Sequence, residues 1–70
     1  MRSGVPALIG ETALVTKEIN GRHQPGEVRA RGEHWMAIPL DPDSVIAKGS
    51  DVVVADIDRG LLVVYPSIGA

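Results

Sequence analysis

Residues 26–38 read GEVRARGEHWMAI, and this stretch decides the fold class. Apolar and polar residues alternate on both sides of its central Arg-Gly pair. Val28 and Ala30 share one face of the run before the pair, and Trp35 and Ala37 share one face of the run after it. Alternation with a period of two is typical of a half-buried β-strand, and a short glycine-containing turn between two such runs predicts a hairpin. The stretch therefore predicts two antiparallel strands.

Three further apolar runs flank the hairpin, and turn residues separate them. Residues 12–19 form the first predicted strand, which ends at the turn-forming pair Asn20-Gly21. Residues 52–57 and 61–65 form the last two strands. The segment 43–49 holds at most one helical turn, and a turn or short 3₁₀ segment fits it better. Five short strands punctuated by glycines predict an all-β chain that closes into a small barrel.

The fourth predicted strand contains an irregular step. Val52 and Val54 alternate as strand residues should, but the next large apolar residue on their side is Ile57, three positions later. An extra residue in one strand of an antiparallel pair forms a β-bulge. We therefore expect a bulge near Ala55 and Asp56.

Composition indicates one small folded domain. The chain has 70 residues, of which 44% are hydrophobic and 23% are charged, and such values are typical of globular proteins rather than of disordered chains. It has no cysteine, which excludes disulfides and thiolate metal sites. Its longest uncharged run, residues 61–70, is half as long as the ~20 residues that a membrane-spanning helix needs.

Five short motifs in a fixed order resemble a known family. The motifs are Leu8-Ile9-Gly10, Pro25-Gly26-x-Val28, Gly32-Glu33-x-Trp35-x-Ala37, Ile46-x-Lys48-Gly49-x-x-Val52-x-Val54 and Gly60-x-Leu62-x-Val64-x-Pro66. Together they resemble the C-terminal soluble domain of NfeD-like membrane proteins over residues 8–66. Two departures accompany the resemblance. Ala13 stands where the family commonly has a glycine, and the loop at residues 20–24 is longer and more polar than is usual.

The resemblance implies a fold and a division of the chain. The implied fold is a small five-stranded OB-like barrel that lacks the usual helix between strands three and four. Residues 1–7 would be a lead-in segment, residues 8–66 the barrel domain and residues 67–70 a C-terminal tail.

The resemblance also implies a setting and a partner. A longer parent protein would carry the domain behind transmembrane helices, so that the domain itself is soluble and reaches the membrane only through segments absent from this chain. The cytoplasmic side is expected rather than the extracellular one. The implied partner is a stomatin- or flotillin-like membrane scaffold protein, with self-association as a second mode of assembly.

Catalysis and metal binding lack a local signature in this sequence. A hydrolytic triad needs a nucleophile, a base and an acid within hydrogen-bond reach of one another. The residue types for the nucleophile and the base are supplied by His23, His34, Ser44, Ser50 and Ser67, but no nucleophile elbow surrounds any of the serines. The same histidines with Glu27 or Glu33 lack the spacing of a known zinc site. We therefore expect no enzymatic activity, no catalytic residue and no metal or cofactor site.

Two alternatives to a protein-interaction module stay open. OB-like barrels that bind single-stranded nucleic acid stack bases on exposed aromatic side chains within a basic groove. The only aromatic residues of this chain are Trp35 and Tyr65, and Trp35 belongs to the inward series as the expected central core anchor. The net charge of −2 also opposes the capture of phosphates. The other alternative, a regulatory domain of a membrane-associated serine protease, follows from longer relatives of the family that carry a protease domain.

The outward side of the last three strands carries more apolar residues than a barrel surface needs. These outward residues are Met36, Ile38, Val53, Leu61, Val63 and Tyr65. A small barrel has one interior, so they are either covered by loops and by residues 5–9 or exposed as a patch. Two arginines on the outward side of the second strand place a basic edge beside them, which would orient a partner. We predict a protein-docking surface formed by Met36, Ile38, Leu61, Val63, Tyr65, Arg29 and Arg31.

Overall fold

A computed structural model describes residues 8–67. The predicted lead-in and residues 68–70 of the predicted tail lie outside the described residues. The strands are β1 (Thr12–Lys17), β2 (Ile19–Asn20), β3 (Gly26–Ala30), β4 (Glu33–Pro39), β5 (Val45–Ile46), β6 (Asp51–Asp58) and β7 (Leu61–Pro66). Residues 8–67 contain no α-helix, and the all-β prediction is confirmed.

Five of the strands close into a barrel in the order β1-β3-β4-β7-β6, and β6 returns to pair with β1. The neighbours are antiparallel except for β4 and β7, which run parallel. When only the barrel strands are numbered, their order is 1-2-3-5-4. The prediction of a five-stranded OB-like barrel without a helix between its third and fourth strands is confirmed.

The barrel interior is filled by aliphatic side chains from every strand. Alternation places two residues of β1, β3, β6 and β7 and one of β4 inside, and three residues outside the barrel strands complete the cluster. The buried cluster comprises Leu8, Ala13, Val15, Ile19, Val28, Ala30, Ala37, Ile46, Val52, Val54, Leu62 and Val64. The face assignments predicted from alternation hold for these strand residues.

β2 and β5 form a two-stranded sheet that joins the same core. The secondary structure of both segments differs from the prediction. Residues 12–19 do not form one strand, because β1 ends at Lys17 and Ile19 begins β2. The segment 43–49 contains β5, which pairs Ile46 with Ile19, rather than only a turn or 3₁₀ segment. Both isoleucines are buried. A strand of two residues is too short to show alternation, so hydrophobic periodicity cannot predict this pairing.

Bulges shape two of the barrel strands. The register of β6 against β7 shifts between Val54 and Asp56, so the predicted bulge is confirmed. A second bulge, which the sequence pattern did not reveal, lies between Val15 and Lys17 of β1. The hydroxyl of Thr16 at this bulge donates a hydrogen bond to the carbonyl oxygen of Glu27 across the strand pair, at 3.2 Å.

Trp35 is not the central core anchor that was predicted. It is only partly buried and packs against the aliphatic cluster, as does Ile57 of β6. The reason lies in the register, since Trp35 precedes the first residue of β4 that pairs with β7, Ala37. Its indole nitrogen is buried and has no hydrogen-bond partner within residues 8–67.

Candidate protein-docking surface

The parallel pairing of β4 with β7 brings the predicted docking residues together. Ile38 is opposite Val63, and Ala37 is opposite Leu62. The outward neighbours, Met36 on β4 and Leu61 on β7, therefore also lie side by side. Local sequence patterns do not reveal this pairing, since the two strands are separated by the whole of β5 and β6.

The predicted apolar residues differ in accessibility. Met36 is 55% exposed and Tyr65 39% exposed, and Leu61 is partly buried. Ile38 and Val63 retain only 5% and 6% exposure. The predicted surface is therefore corrected at these two positions, which are too buried to contact a partner directly.

Two residues outside the predicted set extend the accessible apolar area. Leu40 directly follows β4 and is 49% exposed, and its amide donates a hydrogen bond to the carbonyl oxygen of Val64 at 2.7 Å, which continues the β4–β7 pairing. Val53 of β6 is partly buried and lies opposite Tyr65. The accessible surface, hereafter the β4–β7 face, consists of Met36, Leu40, Val53, Leu61 and Tyr65.

The β3 side of this face carries both signs of charge rather than only the predicted basic residues. Arg29 is opposite His34, as the hairpin prediction requires, and Glu27 is opposite Met36. The Nδ1 atom of His34 lies 3.3 Å from a carboxylate oxygen of Glu27. Arg29 is exposed and makes no ion pair within residues 8–67. Arg29 is therefore available to a partner.

Arg31 has an internal role. Its Nη2 atom lies 3.2 Å from a carboxylate oxygen of Glu11. This ion pair connects the β3–β4 turn to the segment that precedes β1. Because the Arg31 guanidinium already has this contact, we leave Arg31 out of the β4–β7 face.

The opposite flank of the face is acidic. Asp56 of β6 is opposite Val63, and Asp58 is opposite Leu61. Both aspartates are exposed. The apolar residues are thus bordered by Glu27, His34 and Arg29 on one side and by two carboxylates on the other.

The candidate metal-ligating residues do not assemble into a metal site within residues 8–67. His23 is an exposed loop residue, and His34 is engaged by Glu27 as described above. Within residues 8–67, no group of three His, Asp or Glu side chains is close enough to hold a metal ion. No polar or charged residue of this part of the chain is buried.

The structure gives little support to nucleic-acid binding. In OB folds the second and third barrel strands carry the oligonucleotide-binding face, and these strands are β3 and β4 in this chain. Their accessible outward residues are Glu27, Arg29, His34 and Met36, none of which is Phe, Tyr or Trp. This face therefore lacks the large aromatic side chains on which OB folds stack successive bases.

Comparison with known families shows to which family the chain belongs. The family of NfeD-like C-terminal, partner-binding domains matches residues 5–66. The chain belongs to this NfeD family. The prediction of a protein-interaction module is thereby confirmed, because the NfeD domain is a partner-binding domain, and the nucleic-acid and protease-regulatory alternatives are not favoured.

Two solved structures are similar to the chain. The soluble domain of a Corynebacterium glutamicum membrane protein implicated in regulation of membrane protease activity is 33% identical, with a TM-score of 0.80, over 87% of this chain and 94% of that one. The C-terminal domain of stomatin operon partner protein 1510-C from Pyrococcus horikoshii is 33% identical, with a TM-score of 0.80, over 94% of this chain and 97% of that one. No protein of curated function matches the chain. Residues 8–67 include no helix with the length and apolar character needed to cross a bilayer.

Proposed function

We propose that this domain binds a stomatin- or flotillin-like membrane scaffold protein through the β4–β7 face and has no catalytic activity of its own. The observation that carries the proposal is an accessible apolar face on a closed barrel whose family is defined by partner binding. The relationship of the Pyrococcus horikoshii neighbour to a stomatin operon supports the choice of partner class.

The side chains of the face suit protein contact. Interfaces are anchored by a few apolar or aromatic side chains at their centre, surrounded by residues that exclude water. Met36, Leu40 and Tyr65 present the largest exposed fractions of the face. Because each is already about half buried, covering the remainder of each would contribute on the order of 1 kcal/mol. The hydroxyl of Tyr65 can remain at the solvent-exposed rim of the interface while the partner covers its ring.

The flanking charges would orient the partner. On the β3 side Glu27 lies opposite Met36 and Arg29 lies beyond it, opposite His34, while Asp56 and Asp58 border the face on the β6 side. Charges at the rim of an interface set the direction of approach and the register more than they add affinity. A partner that docks on this face should therefore present a basic group toward Asp56 of β6.

The proposal extends to location. A longer parent protein would hold the domain at the membrane, on the cytoplasmic side. Support comes from the Corynebacterium glutamicum neighbour, which is a soluble domain of a membrane protein. Protease treatment of intact spheroplasts that carry the parent protein tests the side, since cleavage of this domain before lysis would contradict a cytoplasmic position.

A binding experiment with two variants tests the proposed function. Met36→Ser combined with Tyr65→Ser removes two of the three most exposed side chains of the face. Leu14→Ser is the matched control because Leu14 is 44% exposed on β1, across the barrel from β4 and β7. Binding to a purified stomatin-family protein is measured by calorimetry, and folding by circular dichroism. We expect the double variant to lose binding while Leu14→Ser retains it. A folded double variant with parental affinity would overturn the proposal.

A further inference from the structure

Two turns of the barrel hold an arginine in a left-handed conformation. Arg31 has a φ of 54° before Gly32 at 79°, and Arg59 has a φ of 54° before Gly60 at 84°. Each pair forms the two-residue connection of an antiparallel hairpin, β3–β4 in one case and β6–β7 in the other. Such turns favour Asn, Asp or Gly at their first position, because other side chains crowd the backbone when φ is positive. An arginine at this position raises the energy of the fold.

An internal contact explains the strained backbone conformation of Arg31, but none within residues 8–67 explains that of Arg59. The Arg31 guanidinium contacts Glu11, which ties the β3–β4 turn to the segment before β1. Arg59 is exposed, and its side chain makes no hydrogen bond or ion pair within residues 8–67. Backbone strain that no internal contact explains is found preferentially at functional sites.

The position of Arg59 connects it to the β4–β7 face. Its turn lies between Asp58 and Leu61, which are opposite each other at the ends of β6 and β7. Leu61 is the outward neighbour of Met36 on the parallel strand β4. Arg59 therefore stands at the end of the face where these two apolar side chains meet, at the same end of the strands as Arg29 but across β4 and β7 from it.

Building on the proposed function, we propose that Arg59 is a partner-contacting residue that binds a carboxylate side chain of the docked protein. A guanidinium can hold a carboxylate through two parallel hydrogen bonds, which adds direction to the contact. The apolar residues beside it would cover the remainder of the same partner segment. The expected partner segment is thus apolar with one Asp or Glu at its end.

The surroundings of Arg59 disfavour an anionic membrane surface as its ligand. Asp56 and Asp58 are exposed on the strand that leads into the turn, and the chain has a net charge of −2. A lipid surface attracts clusters of basic residues, and a single arginine flanked by aspartates does not form such a cluster.

The test compares turn-compatible substitutions at the two arginines. Arg59→Asn and Arg59→Gly remove the guanidinium and relieve the backbone, so the urea midpoint should stay unchanged or rise. Their affinity for a purified stomatin-family protein should fall about fivefold or more. The affinity of the unaltered chain should weaken with added NaCl more steeply than that of Arg59→Asn. Arg31→Asn is the control, which should bind as the unaltered chain does.

The outcomes separate this inference from the proposed function. If the unaltered chain does not bind the stomatin-family protein, the proposed function fails and the inference fails with it. If the unaltered chain binds and both Arg59 variants are folded and bind equally well, only the inference is overturned. Binding of the unaltered chain to vesicles of phosphatidylcholine and phosphatidylglycerol that is lost in Arg59→Asn, with unchanged protein binding, would also overturn it in favour of a lipid contact.

Discussion

Replacing Gly26 by alanine should destabilise the domain strongly, because the chain has no room for a side chain at this position. Gly26 begins β3 at the place where the chain bends from β1 into β2 and passes close over it. A Cβ atom on Gly26 would lie 2.5 Å from the carbonyl oxygen of Glu18 and 2.6 Å from the Cγ1 atom of Ile19, and it would also overlap the carbonyl oxygen of Lys17. Two of these three atoms belong to the backbone. The crowding therefore cannot be relieved by rotating one side chain.

The magnitude follows from this crowding. Ordinary contacts between carbon atoms lie at about 3.5 to 4.0 Å, so β1, β2 and β3 would have to separate by up to about an ångström. Overpacking of this kind typically costs about 1 to 3 kcal/mol and occasionally more, and we expect about 3 kcal/mol because backbone must move. A domain of this size has a free energy of unfolding of roughly 4 to 10 kcal/mol. With an m-value of about 1 kcal/mol per molar urea, the unfolding midpoint should fall by about 3 M.

Urea unfolding followed by circular dichroism is the assay, and Gly49→Ala is the control. Gly49 has a φ of +91°, but no atom lies within 4 Å of the position that a Cβ atom would occupy there. Its substitution therefore strains only the backbone, at about 1 to 2 kcal/mol. Gly26→Ala should lower the midpoint clearly more than Gly49→Ala does. Equal shifts for the two variants would refute the close approach of β1 and β2 to β3.

The remaining predictions concern Trp35, Glu11 and the binding of single-stranded nucleic acid. Trp35→Ala should lower the free energy of unfolding by about 2 to 3 kcal/mol in chemical denaturation, because Trp35 is only partly buried. This loss is below the usual range for a buried tryptophan. A loss above about 4 kcal/mol would instead show that Trp35 is the central core anchor. Glu11→Gln should cost less than about 1 kcal/mol, because its pair with Arg31 is exposed; a larger loss in the same assay would show a stronger coupling. Single-stranded DNA or RNA should not bind in a fluorescence-anisotropy titration, and saturable binding tighter than about 10 μM at physiological salt would revive the nucleic-acid alternative.

Local features of the fold were predictable because they rest on alternation and on turn residues. The β3–β4 hairpin follows from the alternation around Gly32, and the β6 bulge follows from the three-residue step before Ile57. The β2–β5 pairing was missed because two residues carry no periodicity. The prediction that Trp35 is the central core anchor was wrong, because the size of a side chain does not indicate how far along the barrel axis the residue lies.

The docking residues were only partly predictable for a related reason. Alternation assigns Met36 and Ile38 to the same outward side, yet one is exposed and the other is buried. The difference depends on which segments lie over each strand, and that information is absent from a local pattern. Leu40 was missed because it follows Pro39, where the predicted strand had ended.

The central claim is that the β4–β7 face is the partner-binding surface. The most direct measurement is amide chemical-shift mapping of the ¹⁵N-labelled chain titrated with an unlabelled, purified stomatin-family protein. We predict that the largest perturbations fall at residues 36–40 and 59–65, while the amides of β1 at residues 12–17 change little. Saturable binding with perturbations concentrated on β1 and β3, or no perturbation at all at concentrations up to the solubility limit, would contradict the claim.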